Sequence, residues 1–190
     1  MLPTMASTIT DTVGITSSDS NATLPANAAL VAGTKALSVT FKTAAVQTLT
    51  ASDITDPAKP ANTSPAITVN PAAFLKLQLL VPGETAAPGS ATGKTGPLLT
   101  QVAGTAFTVT VKAVDTYWNL ITITDTVGIT SSNANFTPPA NAALVAGTQT
   151  FSVTLKTAAS QTLTASDITD AAKIANTSPS LSVISGAFTK

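Results

Sequence analysis

The sequence has no cysteine, no histidine and no arginine. Without cysteine there is no disulfide and no thiolate metal site, and this is neutral as to compartment. Without histidine the commonest general base and the commonest metal ligand are both missing. Charge is scarce too. Nine lysines balance nine acidic residues, and charged residues make up 9% of the chain, against roughly a quarter in an average globular protein. Such a chain offers no basic face to nucleic acid and no polybasic patch to an anionic membrane. No apolar run reaches the ~18 residues of a membrane span. The opening MLPTMASTIT has neither a basic start nor a long apolar stretch, so it does not read as a signal peptide. With one Trp, one Tyr and six Phe, the core is expected to be thin and built from Val, Leu, Ile and Ala.

What the chain has instead is threonine, 36 residues of 190. Threonine is β-branched and suits strands, where its hydroxyl can face water. The chain also repeats itself. Ile9 to Lys76 and Ile123 to Lys190 align without a gap at an offset of 114 residues, with 50 of 68 positions identical. That period is too long for a solenoid turn and suits a whole β-sandwich. Substitutions between the copies sort by character. Leu37/Phe151, Phe41/Leu155 and Ile67/Leu181 stay apolar, as core positions should. Lys35/Gln149, Asp19/Asn133 and Val46/Ser160 change freely and read as surface.

Apolar–polar alternation dominates, which means strands. It runs through Leu75, Leu77, Leu79 and Val81; Phe107, Val109, Val111 and Ala113; Phe151, Val153 and Leu155; Leu163 and Ala165; and Leu181 and Val183. In the first copy it runs through Leu37, Val39 and Phe41, then Leu49 and Ala51, then Ile67 and Val69. Strands are expected near 74–81, 105–114, 125–131, 142–146, 149–156, 160–166 and 179–184, with a short helix at 142–145 as the alternative for that segment. Pro82-Gly83, Ala146-Gly147 and Thr177-Ser178-Pro179 separate them as turns. The expected fold is all-β: an immunoglobulin-like β-sandwich in tandem. Residues 1–73 form a partial repeat with the last five strands, lacking the first two. Residues 74–190 form a complete repeat with a long loop at 84–101, a length usual for functional or mobile excursions.

The complete repeat resembles the bacterial immunoglobulin-like domains of surface proteins, of the invasin and intimin type. The resemblance rests on Ala103-Gly104-Thr105, the alternating strand from Phe107 to Asp115, the turn Asp115-Thr-Tyr-Trp-Asn119, and Thr162-Leu-Thr-Ala-Ser-Asp167. It implies a seven-stranded sandwich used in tandem as a stalk, spacer or adhesive module on a bacterial exterior. Trp118 stands where that family usually has glycine, a position that takes positive φ.

Candidate sites are few. Asp53/Asp56 and Asp167/Asp170 lie in Ser-Asp-Ile-Thr-Asp, just past a strand. They read first as turn caps, and otherwise as a weak calcium site or an acid–base pair. Asp115 and Asp125 flank another turn that could contribute to a calcium site. Lys112, Asn176 and Asp167 supply the residue types of an intramolecular isopeptide bond, but Lys112 alternates to the threonine face. Tyr117 and Trp118 are the candidate contacts for a sugar ring; the alternative is a turn whose aromatic covers the end of the core. Threonine ranks evoke an ice-binding surface, though without a strict short repeat. Sequons at Asn21, Asn62, Asn135 and Asn176 matter only in a glycosylating host. No catalytic residue and no cofactor is expected. The expected function is that of an extracellular or cell-surface structural or adhesive protein, not an enzyme. The partial repeat leaves a core uncovered and sheet edges open, and open edges recruit strands. Head-to-tail self-association follows, with the arm 1–8 or the excursion 84–101 as the donated segment. The alternatives are a module binding a surface glycan, and a fragment of a longer stalk array.

Overall fold

The computed structural model describes residues 9–186. The fold is an all-β sandwich, with no helix among these residues. The chain divides after Asn70 into two compact units.

Unit 2 begins with β7 (Lys76–Leu80), β8 (Thr85–Ala86), β9 (Lys94–Thr95), β10 (Gln101–Val102) and β11 (Ala106–Val114). It continues with β12 (Thr126–Ser131), β13 (Ala142–Ala143), β14 (Thr148–Thr154), β15 (Ser160–Gln161), β16 (Leu163–Asp167), β17 (Asn176–Thr177) and β18 (Leu181–Ile184). The order β13-β12-β16-β17 makes one sheet; β14-β11-β7 and β10-β18-β15 make the opposing layer. β10 runs parallel to β18, and Lys76 bridges Ile174 in parallel, while the other ladders of this unit are antiparallel. The alternation of β11 turns Val109, Val111 and Ala113 inward, where they meet Leu77 and Leu79 of β7, Val127 and Ile129 of β12, Phe151 and Val153 of β14, Leu163 and Ala165 of β16, and Leu181 and Val183 of β18. Each fully buried Leu or Val in this set contributes about 1.5–3 kcal/mol.

Unit 1 contains β1 (Thr12–Ser17), β2 (Ala28–Ala29), β3 (Val46–Gln47), β4 (Leu49–Asp53), β5 (Asn62–Thr63) and β6 (Ile67–Thr68). Its sheet β2-β1-β4-β5 repeats β13-β12-β16-β17 strand for strand. The register repeats as well: Ile15 faces Ala51 and Ile129 faces Ala165; Thr50 faces Thr63 and Thr164 faces Thr177. Both copies turn the same corner, where Val31 bridges Thr34 and Val145 bridges Thr148. The two central residues there, Ala32-Gly33 and Ala146-Gly147, all have positive φ, as a two-residue type I′ hairpin demands.

Four expectations need correction. The Leu37–Phe41 stretch of the first copy alternates like β14 but forms no strand; only Thr23 and Thr40 bridge there. Its twin β14 is held by β11 along seven residue pairs, and no described strand of unit 1 stands in β11's place. The excursion 84–101 is not a bare loop: β8 and β9 form a small hairpin, tied down by an ion pair between Lys94 and Glu84 at 2.9 Å. Residues 160–166 split into β15 and β16 at Thr162, so one expected strand serves both layers. β7 is buried on both faces, including Gln78 and Leu80, because it borders both layers through β11 and Ile174. At 142–145 the backbone is a short strand followed by the Val145 bridge into the Ala146-Gly147 turn, which settles the helix alternative.

Candidate functional site

The largest unusual feature is the apolar face of unit 1. All eighteen buried hydrophobic residues among the described residues belong to unit 2. Val13, Ile15, Leu30, Leu37, Val39, Phe41, Leu49, Ile67 and Val69 are only half-buried, and Ala51 is exposed. Their counterparts 114 residues on are all buried, from Val127 and Ile129 through Phe151 and Leu163 to Val183. In unit 2 the closing elements are β7 and β11, which place Leu77, Leu79, Val109, Val111 and Ala113 over these positions. The same positions are thus less deeply buried in unit 1 than in unit 2. Of the two segments expected to be donated, 84–101 is engaged within unit 2: Gln78 Nε2 donates to Gly93 O at 2.6 Å and Lys94 Nζ to Leu79 O at 3.2 Å. The arm 1–8 lies outside the described residues.

The Tyr117–Trp118 turn is built around Asp115, which is buried. Its carboxylate accepts the backbone N–H groups of Tyr117, Asn119 and Ala72 and the side-chain amide of Asn119, all at 2.8–2.9 Å. Burial pushes its pKa up, but the bonds from Asn119, Ala72 and Tyr117 outweigh burial and hold it below the usual carboxylate range. This knot forces Trp118 to φ 68°, a left-handed conformation that costs a non-glycine residue about 1–2 kcal/mol. Packing offsets the strain. Lys76 Nζ sits 3.4 Å from the ring centroid, and Gly93 lies so close that an added Cβ would come within 2.2 Å of the indole. Lys76 and Gly93 thus lie against the indole, and both Tyr117 and Trp118 are half-buried. Lys76 also donates to Thr116 O at 3.0 Å. Burial pulls its ammonium below the ordinary lysine range, against the opposing pull of Asp115.

The acidic turns cap backbone. Asp53 Oδ1 accepts the N–H groups of Thr55 and Asp56, and Asp167 Oδ1 those of Thr169 and Asp170. Asp56 and Asp170 repeat the device on Ala58 and Ala172. The two copies differ in their lysine. Lys59 Nζ pairs with Asp11, with Asp53 at 3.1 Å and with Asp56 at 3.7 Å, and the bonds to Asp11 and Asp53 raise its pKa. Among the described residues Lys173 pairs with Asp170 alone, at 3.3 Å, and its Nζ lies 5.0 Å from the Phe74 ring centroid. Asp11 and Lys59 carry no signal of their own in the sequence; the lysine three residues past the second Asp, present in both copies, is the clue that could have found them. Among the described residues, no three acidic side chains gather closely enough to hold a metal between them. Lys112 lies on β11 and Asn176 on β17, in opposite layers, and Asn176 Oδ1 already accepts the N–H of Leu79 at 2.9 Å.

No protein-family model matches the chain, and no curated protein does either. Among solved structures, the S-layer protein SbsC is similar over 98% of this chain and 21% of that one, with 17% identity and a TM-score of 0.40. Domains 4 and 5 of SbsC are similar over 97% of this chain and 74% of that one, with 16% identity and a TM-score of 0.37. β-Glucuronidase 3 of Bacteroides uniformis has 9% identity over 91% of this chain and 21% of that one, with a TM-score of 0.40. The chain thus spans about a fifth of the first S-layer structure. These are loose likenesses of chain trace, and neither the surface-layer nor the glycosidase role carries over from them.

Proposed function

We propose that this chain is a non-enzymatic structural or adhesive protein of the extracellular space or cell surface, built from immunoglobulin-like units, and that it self-associates head to tail. The observation that carries the reading is the burial contrast: one sequence pattern, sealed in unit 2 and open in unit 1. Unit 2 also defines what fits the open face, namely extended strands with the alternation of β7 and β11. Strand addition to an open β-unit supplies main-chain hydrogen bonds together with pockets for alternate side chains. A second copy that adds strands in this way makes a heterologous contact, and such contacts propagate into filaments instead of closing into dimers. The near-absence of charge suits repeated self-contact, because little like-charge repulsion opposes it.

Sedimentation velocity and negative-stain microscopy of the pure chain test the reading. Concentration-dependent growth into filaments is expected, and Val39→Asp should disperse them by placing a charge in the docking face. A monodisperse monomer at tens of micromolar sinks the proposal. A second reading is favoured by the position of residues 74–122, which precede the second copy and supply both strands that seal it. On that reading the chain is part of a longer array, and each unit is sealed by the segment before it. Fusing a duplicate of residues 74–122 ahead of Ile9 then yields a protected unit 1 and a non-associating chain.

A further inference from the structure

We propose that the Asp125–Asp167 pair of unit 2 binds a divalent cation, calcium in class, at the place that the Lys59 ammonium takes between Asp11 and Asp53 of unit 1. The two places have the same sequence, Ile-Thr-Asp on one side and Ser-Asp-Ile-Thr-Asp on the other, and the same register, with Val13 facing Asp53 and Val127 facing Asp167. In unit 1 a positive charge sits between the carboxylates: Lys59 Nζ contacts both Asp11 and Asp53. In unit 2 the corresponding Lys173 is drawn to Asp170 and toward the Phe74 ring, and makes no ion pair with Asp125 or Asp167.

The consequence is a buried carboxylate oxygen without a partner. Asp167 is 6% exposed; its Oδ1 takes two backbone N–H groups, and its buried Oδ2 faces no donor. Its counterpart in unit 1, Asp53 Oδ2, takes the Lys59 ammonium at 3.1 Å. A buried carboxylate oxygen without a donor calls for a positive partner, as Lys59 supplies to Asp53 in unit 1. Hard oxygen donors select calcium or magnesium, and calcium is the better fit, because it accepts an irregular, partly hydrated shell. With only two protein carboxylates and water completing the shell, affinity belongs at the weak, ~10⁻⁴–10⁻³ M end that extracellular calcium modules occupy.

The test is a calcium titration of the full chain at pH 7, followed by ¹³C NMR of the side-chain carboxyls, with magnesium in parallel. Expected are saturable shifts of Asp125 and Asp167 at low millimolar calcium, and no such shifts of Asp11 and Asp53. Lys59→Ala should add Asp11 and Asp53 to the shifting set, since removing the ammonium opens the equivalent pair. Asp125→Asn should abolish the shift at Asp167. The proposal is overturned if the wild-type carboxyls do not respond to calcium. It is also overturned if the Asp167 shift survives Asp125→Asn. Should that variant fail to fold, the Lys59→Ala response decides, because it opens the matching site in unit 1; no added shift there sinks the equivalence.

Discussion

Ile15 and Ile129 occupy the same place in the same motif, in strands of identical sequence and register. One is half-buried and the other is sealed. The same holds for Leu49 against Leu163 and for Val39 against Val153. Burial is therefore not a property of these residues or of their local strands. It is conferred by β7 and β11, whose side chains close the second copy. Local alternation makes a strand ready for a core; only a covering layer makes the core.

The sharpest way to break this comparison is to cut the same leucine in both copies. Leu163→Ala should destabilise unit 2 by about 3 kcal/mol, as truncations in sealed cores do. Leu49→Ala should cost unit 1 about 1 kcal/mol, because water already reaches the site and little cavity is left behind. Native-state hydrogen exchange resolved by unit measures both. Equal losses would mean that unit 1 is sealed in solution.

Overpacking gives the next contrast. Ala165 is sealed and Ala51 is exposed. Ala165→Leu should cost about 1–3 kcal/mol, while Ala51→Leu should fall within about 0.5 kcal/mol of neutral. Thermal melts of the two variants provide the readout.

A smaller difference runs the other way. Asp19 accepts the N–H groups of Asn21, Lys42 and Thr43 and the hydroxyl of Thr43. Unit 2 has Asn133 there, which keeps only the bond from Asn135 and leaves its buried amide nitrogen unpartnered. Asp19→Asn should cost unit 1 about 1–2 kcal/mol, and Asn133→Asp should stabilise unit 2 by about 1 kcal/mol. Burial pushes the Asp19 pKa up, but the bonds from Thr43, Lys42 and Asn21 outweigh burial and leave it below the usual value. Its stabilisation is therefore complete above the unfolded-state value of ~3.9 and is lost as pH falls through the lower folded value. Unit 1 should lose stability in that acid window, and Asp19→Asn should flatten the loss; denaturant midpoints between pH 2 and 5 read it out.

Much of the fold is visible in residue order. β11, β14 and β16 follow directly from alternation, and the Ala-Gly corners follow from residues that tolerate, or nearly tolerate, positive φ. The stretch 37–41 misleads because alternation is present but the partner that would turn it into a strand is not among the described residues of unit 1. The β8–β9 hairpin is hidden for the opposite reason. Its segment is poor in apolar residues, and it is fixed by tertiary groups: the Glu84–Lys94 ion pair and the close contact of Gly93 with Trp118. At the candidate sites, the turn-capping role of the Asp pairs is legible from their spacing. The divergence of Lys59 and Lys173 is not, since it depends on where Phe74 lies in space. The exposed-looking Asp19/Asn133 exchange also hides a buried carboxylate, because a surface-like substitution pattern says nothing about hydrogen bonds.

The parallel pairings of unit 2 have a mechanical meaning. Chain enters this unit just ahead of β7 and leaves just after β18; β7 lies parallel to the Ile174 segment, and β18 lies parallel to β10. Tension applied at the two ends of the unit would pull these parallel neighbours past each other, so that their hydrogen bonds are loaded together in shear and do not peel one at a time. Unit 1, whose described ladders are all antiparallel, has no such clamp, so single-molecule pulling should show it yielding at the lower force, with unit 2 holding as the stiff link. Equal rupture forces for the two units would remove the clamp from the account.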